Sequence, residues 1–246
     1  MDLLVGLTFI VSLLASIMSG MGGGGGGFVV IPYFIAVGLP PANALATAKL
    51  GGIGTAVGSL TAFRGKGLVS KKYVVPFMII TFICALISAW LIPKINAQLF
   101  EKIIGATLLF LIPTLFINKA AFQPGTRSRP WIVAGFVAFT LFSFAQTLVG
   151  TGIGTMVVLV LMYLFGLDAL HASATKRVSQ SVQSVVLFVL LALQGLVVWT
   201  HGMATILGAT IGTHIGTHIA IKKGTGFVKV MLAVIMAISG VSLLFI

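Results

Sequence analysis

The chain has 246 residues, 59% of them hydrophobic and only 7% charged, against about 25% charged in an ordinary globular domain. A fold of this size cannot hide so much apolar side chain from water, which excludes a soluble protein. Fifteen lysines and arginines face three acids, Asp2, Glu101 and Asp168, for a net charge of +12; most of the cations sit in short loops between apolar runs, as topology-setting charges do, which argues against nucleic acid as a partner.

The chain opens MDLLVGLTF, with no basic n-region, and reads as a first membrane helix instead of a signal peptide. Apolar runs follow at 3–18, 28–37, 43–63, 73–92 and 99–117, then a polar, basic stretch, NKAAFQPGTRSRP, at 118–130. A second series runs 131–149, 156–166, 171–198, 202–221 and 227–246. Runs of about 20 residues cross a hydrocarbon core roughly 30 Å thick. The expected fold is an all-α polytopic membrane protein with about 8–10 helical elements. It divides into a first repeat at 1–118, a basic linker at 119–130 and a second repeat at 131–246. Cys84, the one cysteine, lies in an apolar run, so no intramolecular disulfide or thiolate metal cluster is expected.

The two series superpose without a gap when 128 is added to the first-half number. Gly22, Gly24 and Gly26 fall on Gly150, Gly152 and Gly154, Ala46-Thr47 on Ala174-Thr175, and Gly67-Leu68-Val69 on Gly195-Leu196-Val197. Loop charge alternates between the halves. Segment 64–72 carries Arg64, Lys66, Lys71 and Lys72, whereas 192–200 carries none; 221–230 is more basic than 93–102; and the linker's Lys119, Arg127 and Arg129 face an uncharged C-terminus. Under the positive-inside rule the repeats face opposite ways. Loop 64–72 and the linker are expected in the cytoplasm and the C-terminus outside. Inverted repeats characterise many secondary transporters, whose substrate sites lie near the midplane.

Gly20 to Gly27, GMGGGGGG, is a poor helix interior, because each glycine costs about 0.8–1.0 kcal/mol relative to alanine. The stretch reads as the break of a discontinuous helix or as a re-entrant loop, with GTGIG at 150–154 as its weaker twin. Bare N–H groups at the start of the next helix attract an anion. The competing account is close helix packing through small residues. Gly22, Gly23, Gly24, Gly25, Gly26, Thr151, Gly152 and Gly154 are therefore candidate substrate contacts. Lys49 and Arg177 occupy the same repeat position inside apolar helices, where ionisable groups are functional candidates by default. Snorkelling to the interface is the plainer account of each one alone. With so few acids to pair them, an anionic substrate supplies the missing charge. Thr47, Thr175, Gln180 and Ser181 stand nearby as donors, although each alone is more often a helix–helix hydrogen bond.

His214 and His218 share one helix face four residues apart, but no carboxylate, cysteine or third histidine joins them, so a metal site is not expected. They are candidate proton carriers. Asp168 precedes a helix starting near Leu170 and reads as its N-cap. No Ser-His-Asp set, HExxH motif or paired intramembrane aspartate is present, so no catalytic residues and no cofactor are assigned.

The run GGGFVVIPYF followed by GLPPANALATAK, and its degenerate copy GTGIGTMVVLVLMYLFGLDALHASATKR, resemble the TauE/SafE sulfite exporter family, also called the toluene sulfonate uptake permease family. The similarity runs through both halves. The resemblance implies transport of sulfur-containing anions such as sulfite, sulfoacetate and related sulfonates across a prokaryotic inner membrane. The second repeat departs from the first at Val160, where the first has Pro32, and in most of the glycine run. The expected protein is thus a transporter of small sulfur-containing anions, an exporter in the favoured direction, set in the lipid bilayer. An anion channel, and more remotely a membrane-embedded enzyme or scaffold, stand as alternatives; a homo-oligomer is compatible with the sequence.

Overall fold

A computed structural model describes residues 2–22, 26–115, 124–150 and 153–223. Nine helices and one 3-10 turn account for almost all of them: α1 (Asp2–Gly22), α2 (Gly27–Ala36), α3 (Pro41–Phe63), α4 (Lys71–Leu91), the turn Ile92–Lys94, α5 (Ala97–Leu115), α6 (Arg129–Val149), α7 (Gly154–Phe165), α8 (Ala169–Leu193) and α9 (Trp199–Lys223). No strand occurs among the described residues, as expected of a chain whose backbone must satisfy its hydrogen bonds within each element in lipid. The run expected at 227–246, and most of the linker's first half, lie outside the described residues.

Four helices, α1, α4, α6 and α8, are long and apolar enough to cross a membrane by length and composition alone. At 23 and 25 residues, α3 and α9 are also long enough, at about 1.5 Å per residue, but carry more small and polar residues. Those residues turn inward. Thr47, Lys49, Thr55 and Ser59 of α3 are buried, while Leu3, Ile10, Phe82, Trp90, Leu141 and Leu207 are exposed. This inversion of the usual soluble arrangement is what a lipid solvent selects. The protein is a membrane protein.

Two helices are short. At 10 and 12 residues, α2 and α7 extend about 15 and 18 Å, roughly half a hydrocarbon core. Gly38 and Gly166, 128 residues apart, close them with φ of +93° and +72°, a conformation that L side chains resist. Packing elsewhere depends on missing side chains. A Cβ on Gly208 of α9 would stand 2.6 Å from the Phe9 carbonyl oxygen, and one on Gly20 of α1 would stand 2.8 Å from that of Thr213. So α1 and α9 meet backbone to backbone, as small residues permit in membranes. On the other side, Phe77 of α4 stacks on Phe139 of α6 at 4.0 Å and meets Phe165 of α7 edge-on at 5.0 Å.

The segment read as one run at 171–198 is a helix to Leu193 and then a turn, 194–198, because Gly195 takes φ +74° there. Asp168 caps α8 as its position suggested: its side chain accepts from the Leu170 and His171 amides at 3.0 Å each. Partial burial works against ionisation of this carboxyl. Hydrogen bonds from the His171 amide and ring and from the Leu170 amide outweigh that effect and hold it below its usual range.

Candidate functional site

The ends and middles of six helices converge on one cavity of about 520 Å³, its open mouth included. Lys49 reaches it from α3, Gln180 and Ser184 from α8, Gln146 and Gly150 from the end of α6, Ser16 from α1 and Thr205 from α9; Gly26 and Gly27 bring the start of α2 to the same place. The first N–H groups of a helix have no intrahelical partner, so this wall offers backbone donors and the positive end of a dipole.

Close approach shapes the cavity. A Cβ on Gly52 would stand 2.5 Å from Ser184 Oγ, so glycine is what lets α3 and α8 approach there. A Cβ on Gly27 would collide with the Gly150 carbonyl oxygen, which brings the two glycine-rich breaks into contact. Lys49 is only 7% exposed, and no acidic side chain is among the described residues that line the cavity. Of the three acids in the chain, Asp2 opens α1, Glu101 lies in α5 and Asp168 is engaged with His171, whose Nδ1 stands 2.6 Å from Oδ2.

The residues singled out from sequence divide into groups. Gly26, Lys49 and Gln180 line the cavity. Thr47 and Thr175 do not: the Thr47 hydroxyl accepts from the Val198 amide at 3.0 Å, and that of Thr175 from the Ser70 amide at 2.9 Å. Arg177 lines no cavity wall described; its Nη2 donates to the Ser19 carbonyl at 2.8 Å, and its buried Nη1 has no partner among the described residues. A cation there completes the C-terminal end of α1, where free carbonyls carry partial negative charge. Ser181 donates to the Val178 carbonyl of its own helix at 2.7 Å. Gly22 ends α1, and Gly154 opens α7 against the Lys176 ammonium. Gly23, Gly24, Gly25, Thr151 and Gly152 lie outside the described residues.

The histidine pair stands apart from the cavity. The His214 and His218 rings are 4.5 Å apart on the exposed side of α9; His214 Nδ1 lies 3.1 Å from Thr61 Oγ1, and His218 Nδ1 lies 3.0 Å from the His214 carbonyl. Sequence reasoning passed over Ser16, Gln146, Ser184 and Thr205. Gln146 had a usable signal, as an amide inside an apolar run four residues before a glycine break. The three hydroxyls had none, because most such residues in membrane helices bond their own backbone.

A bundle of membrane helices around a buried, cation-bearing cavity is the architecture of a membrane transporter. The chain belongs to the TauE/SafE family: the family described as "Sulfite exporter TauE/SafE" matches residues 8–243. Among curated relatives, a probable membrane transporter protein of Haemophilus influenzae is 24% identical over 232 residues, covering 94% of this chain and 91% of the relative. The probable membrane transporter protein YfcA of Escherichia coli K12 is 25% identical over 244 residues, covering 99% and 90%. The probable membrane transporter protein ORF9 of Sinorhizobium sp is 25% identical over 234 residues, covering 94% and 89%. No solved structure is a significant match.

Proposed function

We propose that this transporter carries small sulfur-containing oxyanions, of the sulfite and organosulfonate class, out of the cell across a prokaryotic inner membrane. The anion binds in the cavity beside Lys49, between the start of α2 and the end of α6. One observation carries the reading: Lys49 is a buried cation on an open cavity with no acid among the described residues of its walls. An unneutralised buried charge is costly, and an anion docking there relieves the cost while gaining charge-assisted hydrogen bonds worth about 1.5–3 kcal/mol each. The glycines at the start of α2 bring backbone donors to the same oxygens. Arg177 acts at one remove, by holding the end of α1.

The charge also suits export. An inside-negative potential drives an anion outward with about 2.3 kcal/mol per charge per 100 mV, so no coupling ion is required. Support for two repeats comes from element starts that recur at a spacing of 128 within one residue: α2 begins at Gly27 and α7 at Gly154, α3 at Pro41 and α8 at Ala169, α4 at Lys71 and α9 at Trp199.

The test is flux of labelled sulfite and sulfoacetate in proteoliposomes holding the full chain. Saturable flux that each anion inhibits in the other is the expected result. No flux of either overturns the reading, and flux that never saturates replaces the transporter with a channel.

A further inference from the structure

Two helix ends of opposite polarity meet at the Lys49 cavity. Gly26 and Gly27 bring the start of α2 to one wall, and Gly150 brings the end of α6 to another. The Gly150 carbonyl oxygen faces Gly27, where a Cβ would collide with it. The last carbonyls of a helix lack intrahelical partners and carry partial negative charge, as its first N–H groups carry partial positive charge. The cavity therefore has an acceptor side as well as a donor side.

Side chains extend the acceptor side. The Thr55 hydroxyl donates to the Gly52 carbonyl at 2.8 Å, and that of Thr205 donates to the His201 carbonyl at 2.7 Å. Both threonines line the cavity, each with a lone pair and no proton left to offer a ligand, even after Thr205 accepts from Ser12 at 3.3 Å. Gln180 lines it too, and its buried Oε1 accepts from no group among the described residues. Positive charge is scarce by comparison. Lys49 is the one titratable side chain among the described lining residues, and Lys176, on the far side of Gln146 and Gln180, is already engaged.

A dianion without a proton fits these walls badly. Its second charge finds no cation, and its oxygens, all acceptors, meet acceptors. A monoanion that carries one O–H satisfies both sides at once, with its bare oxygens toward Lys49 and the start of α2 and its proton toward the acceptors.

We propose that the cavity takes its oxyanion in the singly charged, protonated form, hydrogensulfite and not the sulfite dianion, and that Gln180 selects this form by accepting from the ligand's O–H. The proposal rests on the anion-transport reading above and names the form of the anion that the site takes. A site built to pair with a ligand's donor rejects the analogue that lacks it, because the buried acceptor is then left unpaired.

The experiment measures binding of sulfite and of methanesulfonate to purified full-length protein, across the pH range in which free sulfite loses its last proton. Methanesulfonate is a monoanion throughout and has no proton to give, so it reports any titration of Lys49. In wild type, sulfite is expected to bind at least about tenfold tighter than methanesulfonate at the acid end. That ratio falls about tenfold per pH unit once the proton is lost. Gln180→Leu is expected to weaken sulfite at the acid end at least about tenfold while methanesulfonate stays within about threefold. A ratio near one at the acid end, a ratio that holds or rises as the proton is lost, or equal loss of both ligands in Gln180→Leu overturns the proposal. Should Gln180→Leu not fold, the wild-type ratio decides alone. A wild type that binds neither anion and moves neither refutes the transport reading itself, which is a separate outcome.

Discussion

The hydroxyl of Thr47, in the second turn of α3, accepts a hydrogen bond from the Val198 amide in the segment that follows α8. Its counterpart 128 residues on, Thr175 in the second turn of α8, accepts from the Ser70 amide in the segment that follows α3. Each helix therefore starts where the other ends, and α3 and α8 run in opposite directions. Asn43, whose Nδ2 donates to the Leu196 carbonyl at 3.0 Å, agrees. Because α3 and α8 hold the same repeat position, this exchange favours repeats of opposite orientation, as loop charge had suggested.

Thr47→Val and Thr175→Val keep side-chain shape and strand one half-buried amide each. Each substitution should cost about 0.5–1.5 kcal/mol, the net contribution of the hydrogen bond lost. Thermal unfolding of the purified protein should show both losses, Thr47→Ser should recover most of its share, and sulfite affinity should stay within about twofold. A large loss of affinity with unchanged stability would return the threonines to the anion site.

The same arrangement sets a topology. Ser70 and Thr200 stand at the starts of α4 and α9, repeat-equivalent helices that should begin on opposite sides of the membrane. Single cysteines placed there, in a background with Cys84 replaced, should react with an impermeant reagent from opposite sides, Ser70→Cys from the cytoplasm. Labelling of both from one side ends the inverted-repeat proposal.

Lys49 and Lys71 carry the same charge in different surroundings, one buried on the cavity and the other exposed at the start of α4. Loss of one charge-assisted hydrogen bond, about 1.5–3 kcal/mol, predicts sulfite affinity roughly 10- to 150-fold weaker in Lys49→Ala. Lys71→Ala should change it less than twofold, as an exposed cation does. Equal effects in a titration of both variants would leave the lysines with topology as their only role.

How far the sequence carried depends on which signal each element left. The helices were legible, because their exposed faces repeat leucine, isoleucine and valine, and the glycine breaks interrupt that pattern. Asp168 was legible as a cap because an acid has few other uses one residue before a helix. The threonines were misleading in isolation: Thr47 and Thr175 stand two residues from Lys49 and Arg177, yet a two-residue step turns a side chain about 200° around a helix, away from its neighbour. Ser184 and Thr205 were hard to see for another reason: they reach the cavity because Gly52 and Gly51 of α3 let α8 and α9 come close, and only tertiary packing brings those helices together.

The last prediction concerns what drives transport. Midplane carboxylates are the usual proton relay, but the three acids lie at Asp2, Glu101 and Asp168, and none is among the described residues that line the cavity. The remaining candidates were His214 and His218, which stand on the exposed side of α9, with His214 beside Thr61 and neither among the described residues that line the cavity. A proton moving on that pair would have no contact with an anion bound at Lys49. Flux in proteoliposomes at fixed pH should therefore follow a clamped membrane potential, rising several-fold when the exit side is made positive. The His214→Ala/His218→Ala double variant should transport within about twofold of wild type. Flux indifferent to voltage, strictly dependent on a proton gradient and lost in the double variant would sink uncoupled export and make the histidine pair the coupling site.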